Sequence, residues 1–545
     1  MFRRKIQSLI SSANTRLTVQ FAAIILAGST FLSSLLGLFR DRLLNSYYLD
    51  TYPTGIDAYS VAFMIPDFMF FILVSGALSV TFIPVFNQRM AKNNKKSAWE
   101  LSTSILNLLA ILTLATSILI IIFADPLVKY VVGPGLSESS RALAVSMMRV
   151  IAINPFLFSI ATVISSIQQA IGRFTFSAMA PAIYNVGIII GIVFFTGGIN
   201  IFGVQIFEGG IMGVAIGVAL GSVLQLLVAV AGLYGVGFDY RFKIYWKNLG
   251  FRQVLKLLPA RSLDQGLDYV NSIVETNMAS RMPTGTVRSY QQSLTLHMMP
   301  VNLIGVAIST AFFPNLTESI AHGRKDLFKR DLQNALRMIV FLALPISVMF
   351  YFFRGYLVNF IKNGGDNLIA DLLGILVISI FCRTIYHIAA RSFYAMQDTK
   401  TPLRVSILAI GLNIVLAIWF SMGLNSGPYG LAWAQSIGAL VEIMILGVLM
   451  RRKIDGLFDA KFISAMVKIA LASVATGIIS YVLVGIFPLM EADESFFVTF
   501  PKFVLIGTIS TTVYLVVAKA LKVEEVDPIL DRIKKFLFSQ SKVRK

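Results

Sequence analysis

Charge is scarce in this 545-residue chain: Asp, Glu, Lys and Arg together make up 14% of it, where a soluble domain carries about a quarter. A single cysteine, Cys382, excludes an internal disulfide. Three histidines, His297, His322 and His387, lie on separate segments, so no metal-ligand spacing arises. No Gly-x-x-x-x-Gly-Lys-Ser/Thr run is present, which argues against direct drive by ATP. Neither a catalytic cluster nor a cofactor is expected, and the chain does not read as an enzyme.

Apolar residues, at 56%, are in excess. Thirteen predominantly apolar windows, most of them long enough for a hydrocarbon core of roughly 30 Å, read as transmembrane helices: 17–38, 58–86, 101–124, 145–170, 178–202, 210–236, 289–313, 338–353, 368–396, 405–422, 429–450, 462–490 and 500–521. A more polar window, 258–282, is expected to cross as the seventh span. The basic start followed by Phe21–Ser29 resembles a signal peptide, but the apolar run continues too far, so it reads as an uncleaved first span. Backbone groups in lipid must be satisfied within the segment, and no barrel-like alternation appears. The expected fold is an all-α integral membrane protein of about 14 transmembrane helices.

The Lys and Arg residues behind the net charge of +19 cluster in alternate connections. Arg3, Arg4, Lys5 and Arg16 precede the first span; Arg89, Lys92, Lys95 and Lys96 follow the second; Arg241, Lys243, Lys247, Arg252 and Lys256 follow the sixth; Arg324, Lys325, Lys329, Arg330 and Arg337 follow the eighth. Connections 196–209 and 421–429 contain no basic residue. The positive-inside rule then places both termini in the cytoplasm and removes the case for nucleic-acid binding. The tail, 523–545, has Ile529, Ile533 and Leu537 at helical spacing among basic residues, suited either to an anionic leaflet or to solvent.

An internal duplication organises the chain. Gly76-Ala-Leu-Ser-Val-Thr-Phe-Ile-Pro84 resembles Val306-Ala-Ile-Ser-Thr-Ala-Phe-Phe-Pro314. Arg173 through Pro181 to Asn185 has a looser counterpart in Asp398 through Pro402 to Asn413, and Gly213-Val-Ala with Gly221 parallels Gly430-Leu-Ala with Gly438. The offsets are roughly 220 residues, or six spans, so the copies are parallel repeats. The expected division is 1–245 and 246–455 for two six-helix lobes, 456–522 for two further helices, and 523–545 for a basic cytoplasmic tail.

Charged groups at bilayer depth are costly unless paired or wet, which makes them site candidates. In the seventh span Arg261, Asp264, Asp268, Asn271 and Glu275 recur at three- and four-residue steps along one face, as on a helix lining a hydrated cavity; the bland alternative is a helix lying on the membrane surface. Arg383, His387 and Arg391 share one face of the tenth span, where Arg383 suits a phosphate contact and His387 reads more readily as structural. Arg149 and Arg40 add positive charge, and Arg40 can pair locally with Asp41. With no motor motif, secondary transport remains.

Several runs resemble the MurJ/MviN-type lipid II flippases of the multidrug, oligosaccharidyl-lipid and polysaccharide exporter superfamily: Leu36-Gly37-Leu-Phe-Arg40-Asp41, Asp57-Ala58, Gly76 to Pro84, Pro134-Gly135, Ala180-Pro181 with Asn185, Ala279-Ser280, and above all Phe393-Tyr-Ala-Met-Gln397-Asp398-Thr-Lys400-Thr401-Pro402. The resemblance implies a multi-pass protein of the bacterial cytoplasmic membrane. It would move an undecaprenyl-pyrophosphate-linked disaccharide-pentapeptide from the inner to the outer leaflet, for peptidoglycan synthesis, by alternating access around a cationic cavity. The last two spans would hold the lipid tail. The partners implied are membrane lipid and lipid II, and the chain is expected to be a monomer. Arg40 and Asp57 then become substrate-site residues, with Arg149, Arg261 and Arg383 as added cations. Glu275 and Asn413 stand where members carry a cation-binding carboxylate and amide, so coupling to Na+, H+ or the membrane potential would run through them, with Asp264 and Asp268 nearby. Family arginines are replaced by Ser34, Phe70, Phe71 and Thr295, and a glutamate by Ser75. These departures keep two rivals open on the same scaffold, an exporter of another polyprenyl-linked oligosaccharide and a cation-coupled drug antiporter. A transport-inactive membrane scaffold is a third rival, and an integral-membrane transferase is weakened by the missing catalytic cluster.

Overall fold

The computed structural model describes residues 19–75, 82–201, 204–490, 493–528 and 530–531, with side chains except at 19–24, 75, 199–206, 257–265 and 267. Contacts divide the chain into two compact units, Met1–Arg288 and Ser289–Lys545.

The first unit contains α1 (Val19–Tyr48), α2 (Pro53–Phe70), α3 (Ile83–Ala91), α4 (Lys95–Pro126), α5 (Glu138–Ile151), α6 (Asn154–Ala170), α7 (Thr175–Ile190), a hairpin of β1 (Ile199–Ile201) and β2 (Val204–Phe207), α8 (Ile211–Ala231) and α9 (Leu249–Ala279). It closes on the first turn of α10 (Thr286–Pro300). The second unit takes the rest of α10, then α11 (Ala307–Ala321), α12 (Lys325–Ile361), α13 (Asn367–Ala395), α14 (Lys400–Ile418), α15 (Pro428–Lys453), α16 (Ala460–Ile486) and α17 (Phe496–Ala520). Among the described residues, 12 helical stretches are long and apolar enough to cross a membrane. The contact boundary falls later than the 245/246 boundary drawn from the repeat, because α9 packs into the first unit: Tyr269 stacks on Phe71 at 4.5 Å, and Asn277 donates to the Val131 carbonyl at 2.6 Å. The helix carrying the polar stripe is therefore packed against its neighbours.

Two details depart from the sequence reading. The window 145–170 is not one straight helix: α5 ends at Ile151 and α6 starts at Asn154, where Pro155, lacking an N–H, suits a first turn. The all-helical expectation also misses the hairpin, whose register pairs Ile199 with Phe207 and Ile201 with Val204. β-Branched residues favour extended pairing there. Gly198 and Gly209, both at positive φ, let the two ends approach so closely that a Cβ on Gly209 would meet the Gly198 nitrogen at 2.4 Å.

Burial follows membrane logic. One face of α16, from Ile463 through Val467, Leu471, Val474 and Ile478 to Tyr481, is exposed, as expected for side chains that meet lipid. Small and hydroxylated groups face neighbouring helices instead. Thr113 and Ser159 share a 2.9 Å hydrogen bond between α4 and α6, and Ser480 donates to Ser510 at 3.0 Å between α16 and α17. Such interhelical bonds hold membrane helices together where lipid supplies little hydrophobic drive. The α16–α17 pair also packs on α12, with the Tyr514 hydroxyl donating to the Phe341 carbonyl at 2.6 Å. Arg337 of α12 pairs with Glu524 and Glu525 just beyond α17, so the tail begins as a packed segment. Residues 532–545, with Ile533 and Leu537 of the amphipathic reading, and Ile529 lie outside the described residues, as do 76–81 of the first repeat motif.

Helices α7 and α8 approach backbone to backbone. A Cβ on Gly187 would lie 2.2 Å from the Gly221 Cα, and one on Gly217 would lie 2.5 Å from the Gly191 Cα. The duplicated Gly213 and Gly221 thus belong to a four-residue ladder with Gly217 between them, the small-xxx-small pattern of close membrane packing. In the second unit Gly430 approaches Ser421 and Gly438 approaches Asn413, at 2.6 and 3.3 Å for an added Cβ, so the repeat keeps the device in looser form.

The Phe393–Pro402 run has a structural cause. Gln397 takes a left-handed φ of 60°, which turns the chain out of α13. Asp398 then accepts the Thr401 amide at 3.0 Å and its hydroxyl at 2.7 Å, starting α14, and pairs with Lys453 at the end of α15. The Lys453 ammonium, with the Thr401 donors, holds the Asp398 carboxyl down at about 2. A depressed carboxyl adds stability that is complete above its ordinary value near 3.9 and is lost as pH falls toward 2. The side chain is partly exposed, so solvent screening keeps the contribution below about 1 kcal/mol.

Two outcomes follow for the purified protein in detergent. Gly217→Leu overpacks the α7–α8 contact and costs about 1–3 kcal/mol, read as a lower thermal midpoint. Asp398→Asn lowers the midpoint by a constant amount from pH 7 to about 4, and the gap narrows below that. A pH-independent gap refutes the Asp398 assignment.

Candidate functional site

A chain of charged groups in the first unit joins four segments far apart in sequence. Asp57, one turn into α2, accepts the Gly285 amide at 2.6 Å and the Arg288 amide at 2.8 Å, so its carboxylate caps the opening of α10. Gly285 has φ +91, a conformation that suits glycine. The Arg288 side chain turns back to α1, donating to Asn45 at 2.8 Å and to Asp41 at 3.1 Å. The same Asp41 oxygen accepts two bonds from Arg40, at 3.1 and 3.3 Å. Arg40 reaches on to Asn185 of α7 at 3.0 Å, and Asn185 donates to the carbonyls of Ser33 and Pro181.

Asp41, Asp57 and Arg288 are buried, whereas the Arg40 side chain keeps 24% of its surface. In the low dielectric of this site each buried charge demands a partner. Asp41 lies between two guanidiniums, and Asp57 is matched by backbone donors. Arg40 is the least buried of these four charged groups. Asp67, deeper in α2, lies within electrostatic reach of Arg40, Tyr184 and Tyr269.

The motifs Pro134-Gly135 and Ala279-Ser280 also meet here. The Gly135 amide donates to Ser280 Oγ at 3.2 Å, and a Cβ on Gly135 would strike the Arg281 Cα at 2.4 Å. Only glycine allows that approach.

The second unit has its own polar seam between α14 and α15. Ser406 donates to Glu442 at 2.8 Å, and Asn413 donates to Gln435 at 3.1 Å. The two rungs are equally spaced on both antiparallel helices. Arg383 of α13 pairs with Glu442 at 3.7 Å, and the Tyr386 hydroxyl shares a bond with Ser406. His297 Nε2 and Ser379 Oγ lie 3.0 Å apart.

The predicted residues thus separate into distinct settings. Arg40 and Asp57 share the α1–α2–α10 network. Arg383 and Asn413 lie in the α13–α15 seam. Glu275 is buried and accepts from Asn271 one turn before it on α9, at 2.9 Å. Asp268 is exposed, and the side chains of Arg261 and Asp264 lie outside the described residues. Arg149 is exposed and donates to the Ile121 carbonyl at 3.3 Å. His387 packs against Gly305 and lies near Arg383 and Arg391.

The positions that depart from the family pattern carry no substitute charge. Ser34 and Thr295 bond carbonyls one turn back on their own helices. Phe70 meets Phe158 at 5.5 Å, and Phe71 stacks on Tyr269 at 4.5 Å, so both positions belong to an aromatic cluster. Arg288 and Glu442 were missed by sequence reasoning. Glu442 had a signal, being a lone acid inside an apolar span; Arg288 sat at the edge of a window and had none. Among the described residues no group of three or more His, Cys, Asp and Glu could hold a metal ion.

Comparison with known proteins gives a consistent result. The family model described as "Lipid II flippase MurJ" matches residues 50–505. A "Probable lipid II flippase MurJ" of Thermotoga maritima is 25% identical over 518 residues, covering 92% of this chain and 97% of that protein. A solved "Lipid II flippase MurJ, inward closed conformation" superposes with a TM-score of 0.73 at 24% identity, covering 91% of this chain and 98% of that one. An inward-facing multidrug transporter of the MATE family and MOP superfamily matches at a TM-score of 0.64 and 16% identity, covering 80% and 99%. These two structural likenesses speak for the fold.

Breaking the network has a graded cost. Arg288→Ala leaves Asp41 with Arg40 alone and lowers stability by about 3 kcal/mol. Asp57→Ala strips the α10 amides of their acceptor and costs about 1–2 kcal/mol. Thermal melts of both variants and of the double variant check this. Strictly additive losses contradict a connected network.

Proposed function

Because the chain belongs to the lipid II flippase MurJ family, we propose that it carries undecaprenyl-pyrophosphate-linked peptidoglycan precursor from the inner to the outer leaflet of the bacterial inner membrane, by alternating access. The chemistry is transport, without covalent change to the cargo. The observation that supports this beyond kinship is Arg40, a guanidinium held by Asp41 on one side and Asn185 on the other, yet only partly buried. Planar forked donors match the oxygens of a diphosphate. Asp41, Arg288 and Asp57 act as positioning residues that keep Arg40 on its helix face. Arg261 on α9 supplies a second cation. Arg383 and Arg149 act at a distance, Arg383 through its pair with Glu442.

Coupling to Na+, H+ or the membrane potential we assign to Glu275 and Asn413, with Asp264 and Asp268 of the polar stripe giving ions a hydrated approach. In our reading α1 and α9 complete fourteen spans with both termini in the cytoplasm, the exposed apolar face of α16 lies along the polyprenyl tail, and the protein works as a monomer. The drug-antiporter alternative is not favoured, since the family model covers most of the chain.

Complementation of a strain depleted of its own lipid II flippase is the test. The wild-type chain restores growth, and Arg40→Ala inserts but fails to do so. Failure of the inserted wild-type chain overturns the assignment of cargo.

A further inference from the structure

The first unit has a cavity of about 890 Å³ lined by none of the residues of the proposed transport site. It opens where the connection after α3 meets the connection between α8 and α9, both in the set of basic loops that the positive-inside rule places in the cytoplasm. Four cations line it: Arg89, Lys92, Lys243 and Lys247. Among the described residues none of the four makes an ion pair with a carboxylate. The one lining acid, Glu100, accepts from Asn248 at 3.2 Å.

Two long helices begin at this cavity. Asn94 and Ser97 of the α4 start line it, as do Asn248 and Leu249 of the α9 start. Helix N-termini carry partial positive charge, and here two of them add to the lysines.

The walls are built rather than floppy. The segment 239–248 has no regular secondary structure, yet α4 fixes it. Asn107 donates to the carbonyls of Arg241 and Lys243 at 2.9 and 3.1 Å, Ser104 accepts the Tyr245 amide at 2.8 Å, and Asn248 donates to the Ser97 carbonyl at 3.1 Å. Arg89 is braced by Ser97, and Lys243 lies over the Tyr245 ring.

The rim favours a lipid over a soluble anion. Trp246 and Leu249, which line the cavity, are 56% and 75% exposed, and Phe242 in the same segment is 81% exposed. Exposed aromatics beside a basic loop are the signature of the membrane–water interface. We propose that this cavity holds the phosphate-bearing headgroup of an anionic diacyl phospholipid of the inner leaflet, with Lys92, Lys243 and Lys247 on the phosphate and Trp246 at the acyl boundary. The site is independent of the transport assignment.

The test reconstitutes the full chain in phosphatidylcholine vesicles that contain a photoreactive phosphatidylglycerol, or a photoreactive phosphatidylcholine of the same acyl chains, and maps the labelled peptides. Phosphatidylglycerol labels the 239–249 peptide and phosphatidylcholine does not. In the triple variant Lys92→Gln/Lys243→Gln/Lys247→Gln labelling falls by about fivefold for each lysine neutralised, and it returns in the corresponding triple arginine variant. Equal labelling by the two wild-type lipids overturns the proposal, whatever the variants do. So does unchanged labelling in a triple glutamine variant that melts like the wild type. Competition by millimolar inorganic phosphate that abolishes labelling means the cavity takes a free anion, and this too overturns the lipid assignment.

Discussion

One carboxylate, Asp41, sits between the guanidiniums of Arg40 and Arg288, and the organisation of the first unit depends on that arrangement. Gathering three charges inside the protein is costly, and each is tolerable because the others are within hydrogen-bonding distance. The cluster therefore sets where α1, α2, α7 and the opening of α10 must lie. Asp57 fixes the α10 opening through its backbone amides, and Asn185 ties Arg40 to α7. A network that braces the fold also orients the one guanidinium with surface to spare. In the proposed function the same side chains serve both stability and anion recognition.

The two units solve the same physical problem with different residues. The first uses arginine–aspartate contacts, whereas the second uses an amide and hydroxyl ladder, Asn413–Gln435 and Ser406–Glu442, with Arg383 on the last rung. The glycine ladder of α7–α8 has a looser counterpart around Gly430 and Gly438. The polar contacts thus differ between the units, whereas close glycine approaches occur in both. Phe70 and Phe71 stand where the resemblance implies two arginines. Their rings pack on Phe158 and Tyr269, so that charge cannot be restored there without repacking the cluster.

Much of the helical fold was legible because long apolar runs permit little else in lipid. The helix α9 itself was legible too, as a more polar window of spanning length. Interruptions were less visible: nothing but Pro155 hinted at the break between α5 and α6, and the β1–β2 hairpin hid in a short polar connection. The site was half legible. Asp57 came from the family resemblance alone, and Arg40 and Arg383 stood out as charges in or beside apolar runs. Their partners did not, because a contact such as Arg288 with Asp41 joins residues widely separated in sequence and leaves no local pattern. Gly217 escaped notice because one more glycine in a membrane helix is unremarked until a facing backbone is seen.

The account turns on Arg40 acting as an oriented fork and not merely as positive charge. Translocation of fluorescent lipid II in proteoliposomes, comparing wild type with Arg40→Lys, measures this directly. Lysine keeps the charge but cannot hold Asp41 and Asn185 while presenting paired donors. The account predicts that Arg40→Lys inserts and remains folded yet translocates at least about tenfold more slowly, the loss of one good charge-assisted bond. Translocation by Arg40→Lys at the wild-type rate contradicts it.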